Sequence, residues 1–201
     1  MHADDKQIRD FWNYVKENEM KIINASNQDV LLWNELNGYL QTMDELVHAM
    51  VFRQTDTIYL VITSGGNKYS FNLCDEIVRK APPLEKMKAQ SLIPASENVS
   101  PFIYQMGGET IYFTVDDVSI HCDDFDSDNI GLLILLSAQH LKIISDNKEY
   151  DMENFYYNLC IQMMMQVLGE RLMADKIAKI ELMPLNLIMP AIPLKKLPDF
   201  I

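Results

Sequence analysis

The residues best suited to chemistry are carboxylates gathered in one stretch of the chain. Between Lys88 and Lys142 the sequence has no other lysine or arginine. The interval instead holds eight acidic residues: Glu97, Glu109, Asp116, Asp117, Asp123, Asp124, Asp126 and Asp128. Carboxylates without neighbouring cations attract basic partners or hard metal ions, because either one relieves the repulsion between like charges. The simpler interpretation is a solvated loop that binds nothing.

Part of this stretch is similar to the start of a calcium-binding loop. Asp124, Asp126 and Asp128 alternate along the chain, so that their oxygens could face one ion. The pattern then fails, because Asn129 stands where such a loop needs glycine and Leu135 stands where it needs a bidentate glutamate. We therefore predict no metal site and keep a weak cation site as a minor alternative.

The other candidate groups do not form a catalytic pattern. Asp116 and Asp117 are adjacent, and adjacent carboxylates seldom converge on one substrate atom. His121 and Cys122 follow each other on a predicted strand, where neighbouring side chains point to opposite faces. The loop at residues 65–66 has two glycines but lacks the glycine patterns that bind phosphate. We predict no catalytic residue and no cofactor, and we lean towards a non-enzymatic protein.

Charge and composition limit the class of protein. The chain has 201 residues, 48% of them hydrophobic, and a net charge of −12. The hydrophobic share supports a folded core. The negative charge disfavours nucleic-acid binding, because phosphate contacts require clustered lysine and arginine.

The predicted cellular compartment depends on targeting and membrane signals that the sequence does not show. We see no secretory signal, and no apolar run approaches the roughly 20 residues of a membrane helix. The three cysteines are widely spaced, which is typical of reduced thiols. We predict a cytoplasmic protein that binds no membrane.

The clearest run of elements lies between residues 58 and 94. β-branched residues at 58–63 predict a strand, and helical apolar spacing over 70–81 predicts a helix that Pro82 and Pro83 end. An extended pattern resumes at 87–93. A strand–helix–strand unit of this length predicts parallel strands joined by a right-handed crossover.

The same order of elements recurs later in the chain. The first set has strands at 46–53 and 58–63, a helix at 70–81 and a strand at 86–94; the second has strands at 117–122 and 131–137, a helix at 151–173 and a strand at 177–183. Outside these sets we predict a helix over 5–24, a helix capped by Ser26 or Asn27, and a strand pair at 102–105 and 110–115.

These patterns predict an α+β fold with a mixed sheet and helices mainly on one face. We expect a single domain over 1–201, in which sub-units 1–97 and 98–184 are similar β-β-α-β halves that could share one sheet. The proline-bearing tail, 184–201, is expected to run extended over the surface or onto a neighbouring subunit. Through this tail the chain could form a homo-oligomer.

Several short motifs resemble those of a known family. They are Phe11-Trp12, Asn18-Glu19, Val61-Ile62-Thr63 with Gly65-Gly66, Glu76-Ile77-Val78, Ala81-Pro82 and Asp116-Asp117-Val118. Together they resemble an uncharacterised bacterial family of conserved hypothetical proteins. The resemblance implies a single α+β domain and carries no assigned activity and no site residues.

Two functions stay open at this point. The first is a non-enzymatic protein-interaction module that presents its acidic surface to a basic partner, as an immunity-type protein does by analogy. Its candidate partner-binding residues are Asp116, Asp117, Asp123, Asp124, Asp126 and Asp128. The alternative is a small-molecule-binding domain, or an enzyme, with a site between the two halves.

Overall fold

The computed structural model describes residues 4–26, 29–54, 56–106, 108–124, 129–147, 150–183 and 190–201, apart from the side chains of Asp123 and Asp124. Helices and mixed sheets together make an α+β fold, as the sequence predicts. The chain divides into two compact units, Met1–Ile93 and Pro94–Ile201. Each unit has a sheet of its own, so the expectation of one shared sheet is wrong.

Unit 1 places three helices before a small mixed sheet. Its elements are α1 (Asp5–Glu17), α2 (Glu19–Asn24), α3 (Val30–Gln41), β1 (His48–Gln54), β2 (Thr57–Thr63), a 3₁₀ turn (Lys68–Ser70), α4 (Phe71–Arg79) and β3 (Lys88–Ser91). The sheet order is β1-β2-β3. β1 and β2 are antiparallel, whereas β2 and β3 are parallel. The predicted crossover unit therefore exists, with α4 as its helix.

The N-terminal helix is shorter than the sequence pattern indicates. Asp4 and Gln7 form a capping box at the start of α1, which buries Ile8, Phe11, Trp12 and Val15. The helix ends at Asn18, whose side-chain amide donates to the Tyr14 carbonyl at 3.0 Å. The apolar face continues into α2, which explains why periodicity alone predicts one helix over 5–24.

Glu19 ties α2 to the start of β3. Its buried carboxylate accepts backbone N–H groups of Glu85 at 3.1 Å, Lys86 at 2.7 Å and Met87 at 3.1 Å. A charged acceptor that satisfies three donors fixes this connection more firmly than neutral contacts would.

Unit 2 contains a hairpin and a four-stranded mixed sheet. Its elements are β4 (Phe102–Met106), β5 (Glu109–Phe113), a 3₁₀ turn (Val115–Asp117), β6 (Val118–Asp124), β7 (Ile130–Leu136), α5 (Ala138–Asp146), α6 (Met152–Leu168), α7 (Glu170–Lys176), β8 (Ile177–Leu182), β9 (Ile192–Pro193) and a C-terminal 3₁₀ helix (Leu194–Phe200). β4 pairs only with β5 within the described residues, and the larger sheet has the order β8-β7-β6-β9.

Strand pairing follows one order in both units. β1 and β2 form an antiparallel pair, and β3 then lies parallel to β2. β6 and β7 likewise form an antiparallel pair, and β8 lies parallel to β7. Parallel neighbours require a crossover, which α4 supplies in unit 1 and the three helices α5, α6 and α7 supply in unit 2.

Two elements of unit 2 differ from the sequence predictions. The helix expected over 151–173 is interrupted at Gly169, whose φ of +81° ends α6 before α7 begins. The tail from residue 190 is not extended over the surface. It pairs with β6 through Ile192 and Pro193 and then buries Leu194 and Leu197 completely.

Within the described ranges, no helix is both long and apolar enough to cross a membrane.

Candidate functional site

The acidic positions that the structure describes around β6 lie at its two ends. Asp116 and Asp117 lie in the 3₁₀ turn before β6, while the backbones of Asp123 and Asp124 pair with β7 at the far end of β6. A strand rises about 3.3 Å per residue, so the two ends are roughly 20 Å apart. Asp126 lies outside the described residues, as does Asp128. The predicted acidic surface is therefore elongated.

Asp116 is the exposed member at the first end of β6. Its carboxylate lies 2.6 Å from Lys195 Nζ, and the two side chains are 68% and 54% exposed. Ion pairs with this exposure contribute about 0–1 kcal/mol. Asp116 could therefore exchange Lys195 for a partner's cation at little cost.

Asp117, in contrast, is hydrogen-bonded within the protein and stabilises the turn before β6. Its Oδ2 accepts the Thr114 N–H at 2.9 Å and the Thr114 hydroxyl at 2.7 Å, and its Oδ1 accepts the Ser137 hydroxyl at 3.1 Å. Burial raises the pKa of Asp117, but the hydrogen bonds from Thr114 and Ser137 outweigh this effect and hold the pKa below its usual value. This carboxylate is committed internally and is a poor candidate for a partner contact.

A buried histidine lies next to Asp117. His140 is fully buried, and its Nδ1 lies 2.8 Å from the Tyr156 hydroxyl. Its Nε2 is 3.4 Å from Asp117 Oδ1 and has no hydrogen-bond partner within the described residues. Burial lowers the pKa of His140 because the imidazolium loses its hydration, and the nearby Asp117 charge only partly opposes this.

Two tyrosine hydroxyls extend the network. The hydroxyls of Tyr156 and Tyr104 are hydrogen-bonded to each other. Burial and this bond raise the pKa of Tyr156 far above its usual value, and burial raises that of Tyr104. Phe113 packs edge-on against both His140 and Tyr156. We name Tyr104, Asp117, His140 and Tyr156 the buried polar cluster.

The buried polar cluster has the residue types of a proton relay but not the access. His140 is 0% exposed, so no substrate atom could contact its imidazole in this conformation. The cluster instead links the turn before β6 with α5 and α6. The sequence does not reveal the cluster because its members lie far apart in the chain, and a lone histidine or tyrosine in a helix gives no sign of its partners.

The remaining candidates are separate from one another. His121 Nδ1 lies 2.7 Å from the Pro190 carbonyl oxygen, and the neighbouring Cys122 is exposed. Cys74 and Cys160 are buried, and burial raises the pKa of the Cys160 thiol to about 12, which leaves it unreactive. The glycine loop at 65–66 takes positive φ angles at both positions, as a tight turn requires.

Within the described residues, no group of three or more histidine, cysteine, aspartate or glutamate side chains is placed to hold a metal ion. The calcium-like run ends in Asp126 and Asp128, which lie outside this description. The weak cation site therefore stays a hypothesis.

Comparisons with protein-family models, with curated proteins and with solved structures found no match to this chain. The resemblance to the bacterial conserved hypothetical family stays a prediction.

Proposed function

We propose that this protein is a non-enzymatic protein-binding module whose acidic segment, residues 109–128, receives a basic partner. The main support is the run from residue 89 to 141, which has eight carboxylates and no lysine or arginine. Clustered negative charge without local cations steers and orients positively charged partners.

Several described carboxylates of unit 1 form ion pairs with nearby lysines. Asp5 and Glu76 both pair with Lys80, and Asp10 pairs with Lys6. In the acidic segment, by comparison, Lys195 is the cation that the structure places against a described carboxylate. In sequence, residues 1–93 hold thirteen acidic and ten basic residues, whereas residues 89–141 hold eight acidic residues and no lysine or arginine, which supports a partner for the acidic segment.

The two ends of β6 contribute unequally to this proposal. Asp117 is held by Thr114 and Ser137, so we assign it a structural role. Asp116 and the acidic residues from 123 to 128 remain as the partner-binding set. An elongated basic surface, such as one face of a helix or strand, would match their spread along the segment.

The enzyme alternative gains no support from the buried polar cluster. An acid–base residue must come within hydrogen-bond reach of a substrate atom. His140 is enclosed by Phe113, Tyr156 and Asp117. The alternative of a small-molecule-binding or catalytic site between the two halves stays a prediction.

Charge reversal tests the proposal. The triple variant Asp123→Lys, Asp124→Lys, Asp126→Lys changes the net charge from −12 to −6, since each reversal adds two units. The control triple Asp10→Lys, Glu17→Lys, Glu45→Lys makes the same change in unit 1. Binding of a fluorescein-labelled ten-lysine peptide is measured by anisotropy at about 50 mM and about 300 mM NaCl.

We expect the acidic-segment variant to bind the peptide at least about tenfold more weakly at low salt, while the control variant stays within about twofold of the wild type. High salt should remove most of the difference because exposed charges are screened. Equal weakening by both variants would mean that only total charge matters, and would contradict a binding surface in the acidic segment.

A further inference from the structure

Unit 1 contains an open groove between α3 and β1, with a volume of about 570 Å³. One face of α3 lines it, with Val30, Trp33, Asn34 and Asn37 at the i, i+3, i+4 and i+7 spacing of a helical stripe. The adjoining face of α3 buries Leu36 and Leu40, so the helix is anchored beside the stripe that lines the groove.

The second wall of the groove is the edge of a sheet. β1 is the outer strand in the order β1-β2-β3. Gln54 and Thr57 form the pair next to the hairpin turn, so their backbones are hydrogen-bonded to each other. Every second residue of β1, counted from Gln54 towards the N-terminus, therefore forms its backbone hydrogen bonds with β2. The backbone groups of Ala49, Val51 and Arg53 then point outward. The Ala49 N–H donates to Asn37 Oδ1 at 2.7 Å, which places this outward direction on the α3 side.

The outward edge is only partly used. In the described part of the chain, the Asn37 amide takes the Ala49 N–H, and no acceptor is found for the backbone N–H groups of Val51 and Arg53. Edge strands with unpaired backbone groups are templates for a further strand, and proteins usually blunt or cover them. Here a helix lies beside the edge but leaves a groove.

Charge distinguishes this groove from the rest of the chain. Among the described residues that line it, Arg53 is the charged one and none is a carboxylate. The net charge of the chain is −12. The Arg53 guanidinium donates one hydrogen bond to the Ile23 carbonyl, and its remaining donors suit a carboxylate.

The geometry points to a peptide-binding site at which an extended segment of a partner protein, with apolar side chains and a carboxylate, adds to β1 as a fourth strand under α3. Main-chain bonds to Val51 and Arg53 would supply affinity, and the α3 stripe would receive alternate side chains. Ala49 to Arg53 spans about 14 Å, enough for roughly five residues. The site is separate from the acidic segment, so either proposal can fail alone.

A second copy of the chain is the competing occupant. Two edges could pair, but each copy carries −12 and self-association would work against this repulsion. We therefore commit to a peptide, and sedimentation of the wild-type chain alone tests the alternative.

The probe is a panel of fluorescein-labelled seven-residue peptides in which valine, isoleucine or threonine alternates with serine, each with a free carboxy terminus. Anisotropy is followed with the full chain at up to about 1 mM. We expect saturable binding by at least one peptide. N-methylation of alternate amides should weaken that binding about five- to tenfold for the set that faces β1 and less than about twofold for the intervening set. Amidation of the carboxy terminus should weaken it about two- to fivefold.

Matched variants test the protein side. Val51→Pro removes an outward N–H without removing a β1–β2 bond, and should weaken binding at least about fivefold. Val51→Thr keeps the N–H and should bind within about twofold of the wild type. If Val51→Pro does not fold, the N-methylated peptides decide the question.

Three results would overturn the proposal: no saturable binding by any panel peptide, equal weakening by both N-methylated sets, or a wild-type dimer that Val51→Pro dissociates.

Discussion

At the scale of single residues, buried polar side chains hold the elements of unit 2 together more firmly than its exposed charges do. Asp117 and His140 lie together because Thr114, Ser137 and Tyr156 hold them from three elements. Sequence analysis singled out Asp117 for its acidic neighbours and gave it a surface role. In the structure the Asp117 side chain accepts from Thr114 and so turns back on its own backbone, while its role in partner binding stays a prediction.

The buried His140 should make stability depend on pH. Its pKa is lowered in the folded state, so the unfolded chain binds the proton more readily. The free energy of unfolding should therefore fall as the pH drops below about 6.5, and continue to fall down to the folded pKa. Asp117 also has a lowered pKa, so the stability it contributes is lost only below about pH 3.9.

His140→Gln should reduce the slope of unfolding free energy against pH by up to about 1.4 kcal/mol per pH unit between about pH 6.5 and 5. The slope is obtained from urea unfolding at several pH values. Tyr156→Phe is the control, because it removes the hydroxyl partner of Nδ1 but keeps the titrating imidazole, so its slope should persist. Identical slopes in His140→Gln and the wild type would show that this histidine does not titrate between the two states.

At the scale of elements, the strand pairs were the most predictable features and the helix ends the least. β-branched runs and alternation give strands directly, and β2, β6 and β7 lie where the sequence places them. The division of the long C-terminal helix depends on one dihedral angle at Gly169, and a glycine within a helical pattern is equally compatible with an unbroken helix. α4 and α5 both have nine residues, but α4 buries four side chains whereas α5 buries only His140, so α5 lacks the apolar stripe that predicts a helix.

Two glycine-to-alanine changes should have opposite signs. Gly169 has a φ of +81°, so Gly169→Ala should destabilise the protein by about 1–2 kcal/mol. Gly38 lies within α3, where an added Cβ meets nothing within 4 Å. Gly38→Ala should therefore stabilise by about 0.5–1 kcal/mol. Urea denaturation measures both, and a stabilising Gly169→Ala would contradict the helix break.

For the molecule as a whole, the α+β class followed from composition and pattern, whereas the arrangement of sheets did not. The recurring element order is present in the strand pairing of both units, but each forms its own sheet. A single sequence does not show which strand will lie at the edge of a sheet. The tail was misjudged for a related reason: prolines indicated an extended path, but Leu194 and Leu197 found apolar partners that only the folded unit provides.

The buried tail should be part of the stability of unit 2. Leu197→Ala should cost about 2–5 kcal/mol, because a fully buried leucine leaves a cavity. Phe200→Ala, three residues along the same 3₁₀ helix, is the control and should cost less than about 1 kcal/mol because Phe200 is 57% exposed. Amide exchange along β6 reports the effect locally. Equal costs at the two positions would contradict a docked tail.

The docking of β9 against β6 also has a consequence for biosynthesis. Unit 1 is complete in sequence by residue 93, whereas unit 2 needs Leu194 and Leu197 to fill its core. Translation adds about 5–20 residues per second, so unit 1 can fold while the ribosome still holds most of unit 2. Until residues 192–200 emerge, the β6 edge that β9 later covers stays bare on the nascent chain. The period of greatest risk from aggregation is therefore the interval between the emergence of β6 and that of β9, when a chaperone would have most to protect.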